Sequence, residues 1–188
     1  MLWEVISLKH IYLIRHCKAT GQEPNARLTI EGQEQADRLA EFLAERKIDY
    51  IVSSPYERAV STIQPLARKL RLTIHKDDRL CERVLSATAL DDWMEKLRAS
   101  FVDPDMKLPG GESSREAMAR GVRVIEQLFV RPEKNIAVVT HGNLMTLMLK
   151  YYDASYGFDE WRRLTNPDVY EMVMKDNGEK PEIHRIWK

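Results

Sequence analysis

Residues 136–142 read Ile-Ala-Val-Val-Thr-His-Gly. Four consecutive apolar residues, three of them β-branched, have no polar face. They predict a short strand buried on both sides. The run ends in Thr140-His141-Gly142, and a helical pattern follows over 143–150. The same scheme stands near the start of the chain, where Ile11-Tyr12-Leu13-Ile14 runs into Arg15-His16. It recurs at Tyr50-Ile51-Val52, which ends in Ser53-Ser54 with Arg58 a turn further on. An apolar run, a polar cluster and then a helix is the pattern of an α/β protein.

The helices between these runs carry their own signals. Ala36, Leu39, Ala40 and Leu43 fall at i, i+3, i+4 and i+7, one face of a helix, with Thr29 as its N-cap. The second helix is expected to start at Ser54 as N-cap, with Pro55 at its first position and Glu57 closing a capping box. Its buried stripe is Ala59, Ile63, Leu66, Ala67 and Leu70. Leu72-Thr73-Ile74 predicts a third strand, and 90–97 a short helix. Ser113 and Glu116 form another capping box, before a helix that buries Met118, Gly121, Val122, Ile125 and Leu128. Residues 169–174 and 183–187 predict two strands joined by a turn at Asn177-Gly178, adding an antiparallel edge. The fold expected is α/β: a three-layer α/β/α sandwich on a mostly parallel sheet. It forms one domain over 1–188, with a lid-like insertion at about 83–111.

Composition narrows the function. The chain has 188 residues, with 29 Lys plus Arg against 29 Asp plus Glu, so there is no basic excess to argue for nucleic acid or an anionic membrane. No apolar run approaches a membrane span. The first ten residues carry Glu4 among their apolar ones and no small-residue cleavage site, unlike a signal peptide. Cys17 and Cys81 belong to no CxxC pair, which fits reduced thiols in a cytoplasmic protein.

In an open α/β sheet, ligands bind beyond the carboxyl ends of the strands. Arg15, His16, Arg58 and His141 all stand there, though far apart in sequence. Two arginines, two histidines and helix N-termini at one place describe an anion site. Competing motifs fail. Six residues after Cys17 stands Glu23 and six after Cys81 stands Ala87, so neither cysteine has the arginine of a cysteine-based phosphatase. Asp103-Pro104-Asp105 follows no strand and reads as a polar loop. His10, His75 and His184 lack metal-ligand spacing.

His16 within Leu-Ile-Arg-His, Leu28-Thr29 followed by Gly32, Ser53-Ser54-Pro55 with Arg58, Glu82, Gly110-Gly111-Glu112-Ser113, and Thr140-His141-Gly142 occur in one order. In that order they resemble the histidine phosphatase superfamily, the phosphoglycerate mutase-like group, over about 11–143. The resemblance implies a nucleophilic His16 that becomes phosphorylated, and phosphoryl oxygens held by Arg15, Arg58 and His141. It also implies Glu82 as general acid and then base, and Gln22 and Gly142 at the phosphate. It implies no metal and no cofactor. Asp77, Asp78, Asp91 and Asp92 are rival acids. The chain departs from the family pattern at Cys17, where Gly is usual, and at Lys18, Ala19 and Gln22.

The expected activity is metal-independent hydrolysis of a small-molecule or peptide phosphomonoester. Two alternatives stand beside it. One is a phosphoglycerate mutase, against which the segment between Glu82 and Ser113 is short. The other is a non-catalytic phosphate- or phosphoprotein-binding module, against which both His16 and His141 are retained. Specificity is expected to lie within 83–111, where Arg83, Trp93, Lys96, Arg98 and Lys107 offer apolar and cationic contacts.

Overall fold

The structure, a computed structural model, describes residues 8–175 and 179–187. Six strands form one sheet in the order β3-β2-β4-β1-β5-β6. β1 is Leu8–Arg15, β2 Tyr50–Ser53, β3 Ile74–Lys76, β4 Asn135–Thr140, β5 Asp168–Lys175 and β6 Glu182–Arg185. β3, β2, β4 and β1 run parallel, and β5 joins β1 antiparallel. β6 pairs antiparallel with β5 and forms the edge. The expected strand pair therefore lies at that edge, while its turn at Asn177-Gly178 falls outside the described residues.

Alternation along the parallel strands divides the core. Ile11 and Leu13 share a cluster with Val138, Ile125, Leu128, Leu144 and Met148 on one face. Tyr12 and Ile14 share the other with Val139, Leu39, Leu43, Ile63 and Leu66. Helices α1 (Ile30–Ala44) and α2 (Glu57–Leu70) cover the second face. Helices α4 (Ser114–Phe129) and α5 (Gly142–Tyr152) cover the first, together with α3 (Trp93–Val102) and the short α6 (Phe158–Arg162). This is the three-layer sandwich on a mostly parallel sheet that the apolar runs predict.

Two of the predicted caps form as read. Thr29 Oγ1 accepts from Gly32 N–H at the start of α1, and Ser113 and Glu116 exchange both bonds of a capping box at α4. The cap predicted at Ser54 does not form. α2 begins at Glu57 behind Tyr56, which makes no side-chain cap. The Ser54 hydroxyl instead lies 2.8 Å from His141 Nε2 and accepts from Tyr56 N–H. A tertiary partner has taken the oxygen that the local rule assigns to the helix. Strand β3 starts two residues later than expected. Arg71 adopts a left-handed conformation, φ 57°, and Leu72 N–H closes onto the Ala67 carbonyl, so the chain is still leaving α2 at that point. Helix α3, Trp93–Val102, overlaps the predicted 90–97 but is shifted toward the C-terminus, and it buries Leu97 and Phe101 on the first face. Met118 is only half-buried, whereas Ala117 and Val124 are buried in its helix.

Candidate active site

β2, β4 and β1 are neighbours, so their carboxyl ends open side by side. Arg15 stands opposite Thr140, and Ser53 opposite Val139. Beyond the last pair, His16 N–H donates to the Thr140 carbonyl at 3.1 Å and Ser54 N–H to the Val139 carbonyl at 2.9 Å. The backbone at both positions is thus fixed by the edge of β4. His141 follows β4 directly and is fully buried. The rings of His16 and His141 meet edge to face, centroids 5.1 Å apart.

His16 is held at both ring nitrogens. Its Nδ1–H donates to the Cys17 carbonyl at 2.7 Å. Its Nε2 accepts from Arg58 Nε at 3.2 Å, which requires a lone pair on that nitrogen. The ring is therefore neutral with Nε2 as the free base. Burial is the main cause of a pKa pushed down to about 3. Arg58 and Arg15 push the same way, against the Cys17 carbonyl, which favours the protonated ring. Proximity to the arginines alone suggests them as the cause, but the dry surroundings matter more. Burial, then His16 and Arg58, also push the His141 pKa well below its usual value.

Arg58 is fully buried although it carries a charge. Its Nη1 donates to the carbonyls of Gln22 and Glu23, and its guanidinium lies 4.9 Å from the centre of the Tyr56 ring. Gln22 thus meets Arg58 through its backbone, while its exposed side chain lines the cavity. Arg15 Nη1 donates to the carbonyls of Leu164 and Thr165. Its guanidinium passes against Gly142. A Cβ there would stand 3.0 Å from Arg15 Nε, so the glycine lets the cation approach the start of α5. The loop after His16 is tied down from two sides. Cys17 N–H donates to Thr62 Oγ1 at 2.8 Å, and Asn166 Nδ2 donates to the His16 carbonyl at 2.7 Å. Cys17 itself is buried, which pushes its thiol pKa up to about 12. Such a thiol is no nucleophile near neutral pH.

Glu82 reaches the N-terminus of α5. Its carboxylate accepts from the N–H groups of Asn143 and Leu144, each at 3.0 Å, and from its neighbour Arg83 at 2.9 Å. It lines the same cavity as Arg15 and His16. The rival acids do not line it. Asp77 is paired with Arg79 at 2.6 Å, and Asp92 with Lys96 at 3.3 Å.

The cavity measures about 440 Å³, the size of a small-molecule site. Four buried polar atoms around it have no hydrogen-bond partner among the described residues: Arg15 Nε, His141 Nδ1, and Nδ2 and Oδ1 of Asn143. A buried polar atom left unpaired costs about 1–3 kcal/mol. Such atoms gathered at one place mark where a polar ligand is expected.

Of the residues expected at the site, the structure brings together Arg15, His16, Gln22, Arg58, Glu82, His141 and Gly142. It also adds residues that the sequence reading missed. Ser54 was assigned to a cap, Tyr56 and Thr62 lay in a helix with no mark of function, and Asn166 follows no motif. Ser54, within the Ser53-Ser54-Pro55 motif, and Asn143, next to Thr140-His141-Gly142, stood at or beside a signal. Of the specificity candidates, Trp93 and Arg83 line the cavity. Lys96, Arg98 and Lys107 turn elsewhere, to Asp92, Phe158 and Glu116. Trp161, outside the 83–111 segment, lines the cavity too. Among the described residues no group of three or more His, Cys, Asp or Glu could hold a metal ion, and no helix is long and apolar enough to cross a membrane. Asp103 and Asp105 form a surface turn in which Asp105 pairs with Arg115.

Two histidines and two arginines meet at the carboxyl ends of a parallel sheet, an arrangement suited to holding an anion. The chain belongs to the histidine phosphatase superfamily (branch 1), whose family model matches residues 11–186. It is 27% identical over 155 residues to "Probable phosphoglycerate mutase GpmB" of Proteus mirabilis (strain HI4320), covering 74% of this chain and 72% of the relative. It is 30% identical over 141 residues to "Phosphoserine phosphatase 1" of Hydrogenobacter thermophilus, covering 70% and 65%. Among solved structures, the mycobacterial glucosyl-3-phosphoglycerate phosphatase superposes with a TM-score of 0.75 at 21% identity, covering 96% of this chain and 98% of that one. That likeness shows the shared fold.

Proposed function

We propose that this protein is a metal-independent phosphomonoesterase that works through a phosphohistidine on His16, acting on a small-molecule phosphate. The observation that carries the reading is the state of His16: neutral, with Nδ1–H tied to a backbone carbonyl and the Nε2 lone pair directed at Arg58. A binding module has no need of a dry, neutral, oriented nucleophile.

In the first step the Nε2 lone pair forms a bond to phosphorus as the ester P–O bond breaks, and Glu82 gives a proton to the leaving oxygen. In the second, water attacks phosphorus, the N–P bond breaks, and Glu82 takes the water's proton. Three N–H donors occupy the Glu82 carboxylate oxygens, so at least one must be released for the carboxyl group to hold the proton it gives. Arg15, Arg58 and His141 hold the charge spreading over the phosphoryl oxygens, with the backbone N–H of Gly142 nearby. A preformed dry site spends no reorganisation energy when the charge develops.

The chain is proposed to work as one catalytic domain over 1–188, with 83–111 forming one wall of the cavity. Its two cysteines are free, which suits the cytoplasm. The name of the Proteus relative keeps a mutase in view, and the products separate the two. Inorganic phosphate released from an aryl phosphate in saturating EDTA supports the hydrolase. Loss of that activity in EDTA, restored by Mg²⁺ or Zn²⁺, would refute metal independence. Exchange of phosphate between positions of phosphoglycerate without release would identify a mutase.

A further inference from the structure

The wall of the cavity built by α3, α6 and the segment before α3 is apolar. Leu85, Trp93, Leu97 and Trp161 line it. The indoles of Trp93 and Trp161 meet edge to face, centroids 6.2 Å apart. Behind them Trp161 packs on Phe158 at 5.4 Å, and Phe158 on Phe101 at 6.3 Å. Arg98 covers the Phe158 ring at 4.4 Å. The aromatic chain anchors α3 to α6 and fixes the Trp161 ring in place. Trp93 is nevertheless 45% exposed. A rigid, half-exposed indole on a concave wall is a surface for another flat apolar group.

The charges nearby do not favour a second anion. Lys96 pairs with Asp92, Lys107 with Glu116 and Lys18 with Glu31. Arg83 is buried, with Nε on the Glu112 carbonyl and Nη1 on the hydroxyls of Ser100 and Ser114. A leaving group bearing a carboxylate would meet the Glu82 carboxyl group and an apolar wall, with these cations already paired.

We infer that the preferred substrate is the phosphomonoester of an uncharged alcohol that carries a flat ring, the ring lying against Trp93 and Trp161. This rests on the phosphomonoesterase reading above and names the class of ester that site takes. Small carboxylated esters such as phosphoserine and 3-phosphoglycerate are poor substrates by comparison.

The test compares esters of similar leaving-group reactivity, benzyl phosphate and phosphoserine, on the full chain. It also measures binding of phenylphosphonate and phosphonoacetate, whose C–P bonds resist hydrolysis, by calorimetry. Benzyl phosphate should have the higher kcat/KM by about tenfold or more, the scale set by filling or emptying one apolar contact. Phenylphosphonate should bind more tightly than phosphonoacetate by a similar factor. Trp93→Ala and Trp161→Ala should collapse both ratios, and Trp93→Phe should keep most of them. Trp93 is exposed enough for its variants to fold. Preference for phosphoserine or phosphonoacetate, or ratios untouched by both alanine variants, overturns the inference. Hydrolysis without ring preference sinks it alone. The expected order of phosphonate binding without any hydrolysis would reject the phosphomonoesterase reading and the substrate inference with it, leaving a ring-binding anion site.

Discussion

Arg58 Nε donates to His16 Nε2 at 3.2 Å, on the nitrogen opposite the one that His16 commits to the Cys17 carbonyl. With the Cys17 bond, this contact defines the tautomer and points the lone pair toward Arg58, in a ring that burial above all keeps neutral. In the proposed reaction Arg58 exchanges this nitrogen acceptor for a phosphoryl oxygen, which releases the lone pair for attack. The two Nη1 bonds to Gln22 and Glu23 hold the guanidinium in place during the exchange.

His16 should carry the phosphoryl group. A rapid quench without acid during turnover should trap an acid-labile, base-stable phosphoenzyme, and peptide mass spectrometry should place it on the His16 peptide. His16→Ala should abolish labelling. His141→Ala should slow labelling without moving it. Label on Cys17, Cys81 or an aspartate would reject the assignment, and the buried thiol of Cys17 makes that residue a clear negative control.

Stability should fall in mild acid because of the same histidine. The folded pKa of His16 is lowered to about 3, whereas the unfolded ring titrates near 6.5. Between those values the unfolded chain holds a proton that the folded chain lacks. Stability therefore rises with pH through this window, by about 1.4 kcal/mol per pH unit for one such group, and levels off above about 6.5. His16→Asn removes this slope. Urea unfolding at pH 4.5, 5.5 and 6.5 should show the variant gaining on the parent as pH falls. A difference that stays constant with pH would contradict the neutral, buried ring. The acid limb of kcat/KM should likewise not come from His16.

Glu82→Gln should separate leaving groups. The amide keeps the shape but can neither give nor take the proton. Loss of about 10²- to 10⁴-fold is expected on alkyl phosphates, the range for general acid–base catalysis, and a smaller loss on aryl phosphates, whose oxygen leaves without help. Equal losses on both would move the role to another carboxylate or to water.

Gly32→Ala should damage the site from behind. A Cβ on Gly32 would fall on the Lys18 carbonyl, two residues beyond His16. Neither α1 nor that backbone can give way easily, since Thr29 N–H also binds the same carbonyl at 3.0 Å. The cost expected is about 1–3 kcal/mol, as for overpacked cores. Slower phosphoenzyme formation should accompany it as the His16 loop shifts. A variant with unchanged melting temperature and rate would show that the contact is slack.

Much of this protein was determined locally. Ile11–Ile14 and Ile136–Val139 have no polar face, so they could only be strands buried on both sides, and that alone demands helices above and below. The caps at Thr29 and Ser113 formed because their partners lie three residues away and need nothing else. The convergence of Arg15, His16, Arg58 and His141 was legible for a similar reason, since polar residues at the carboxyl ends of parallel strands must open on one edge of the sheet. Where a residue had to choose between a local and a distant partner, the sequence could not decide. Ser54 could cap α2 by its spacing, yet its hydroxyl turned to His141, 87 positions away. Asn166, which braces the His16 carbonyl from 150 positions on, belongs to no motif. The facing of Trp93 and Trp161, and the turning of Lys96, Arg98 and Lys107 away from the cavity, depended on how α3 docks against α6 and α4. Hydrophobic periodicity is a property of a segment and survives in the sequence. The choice among competing polar and aromatic partners is a property of which segments meet, and only the folded chain makes it.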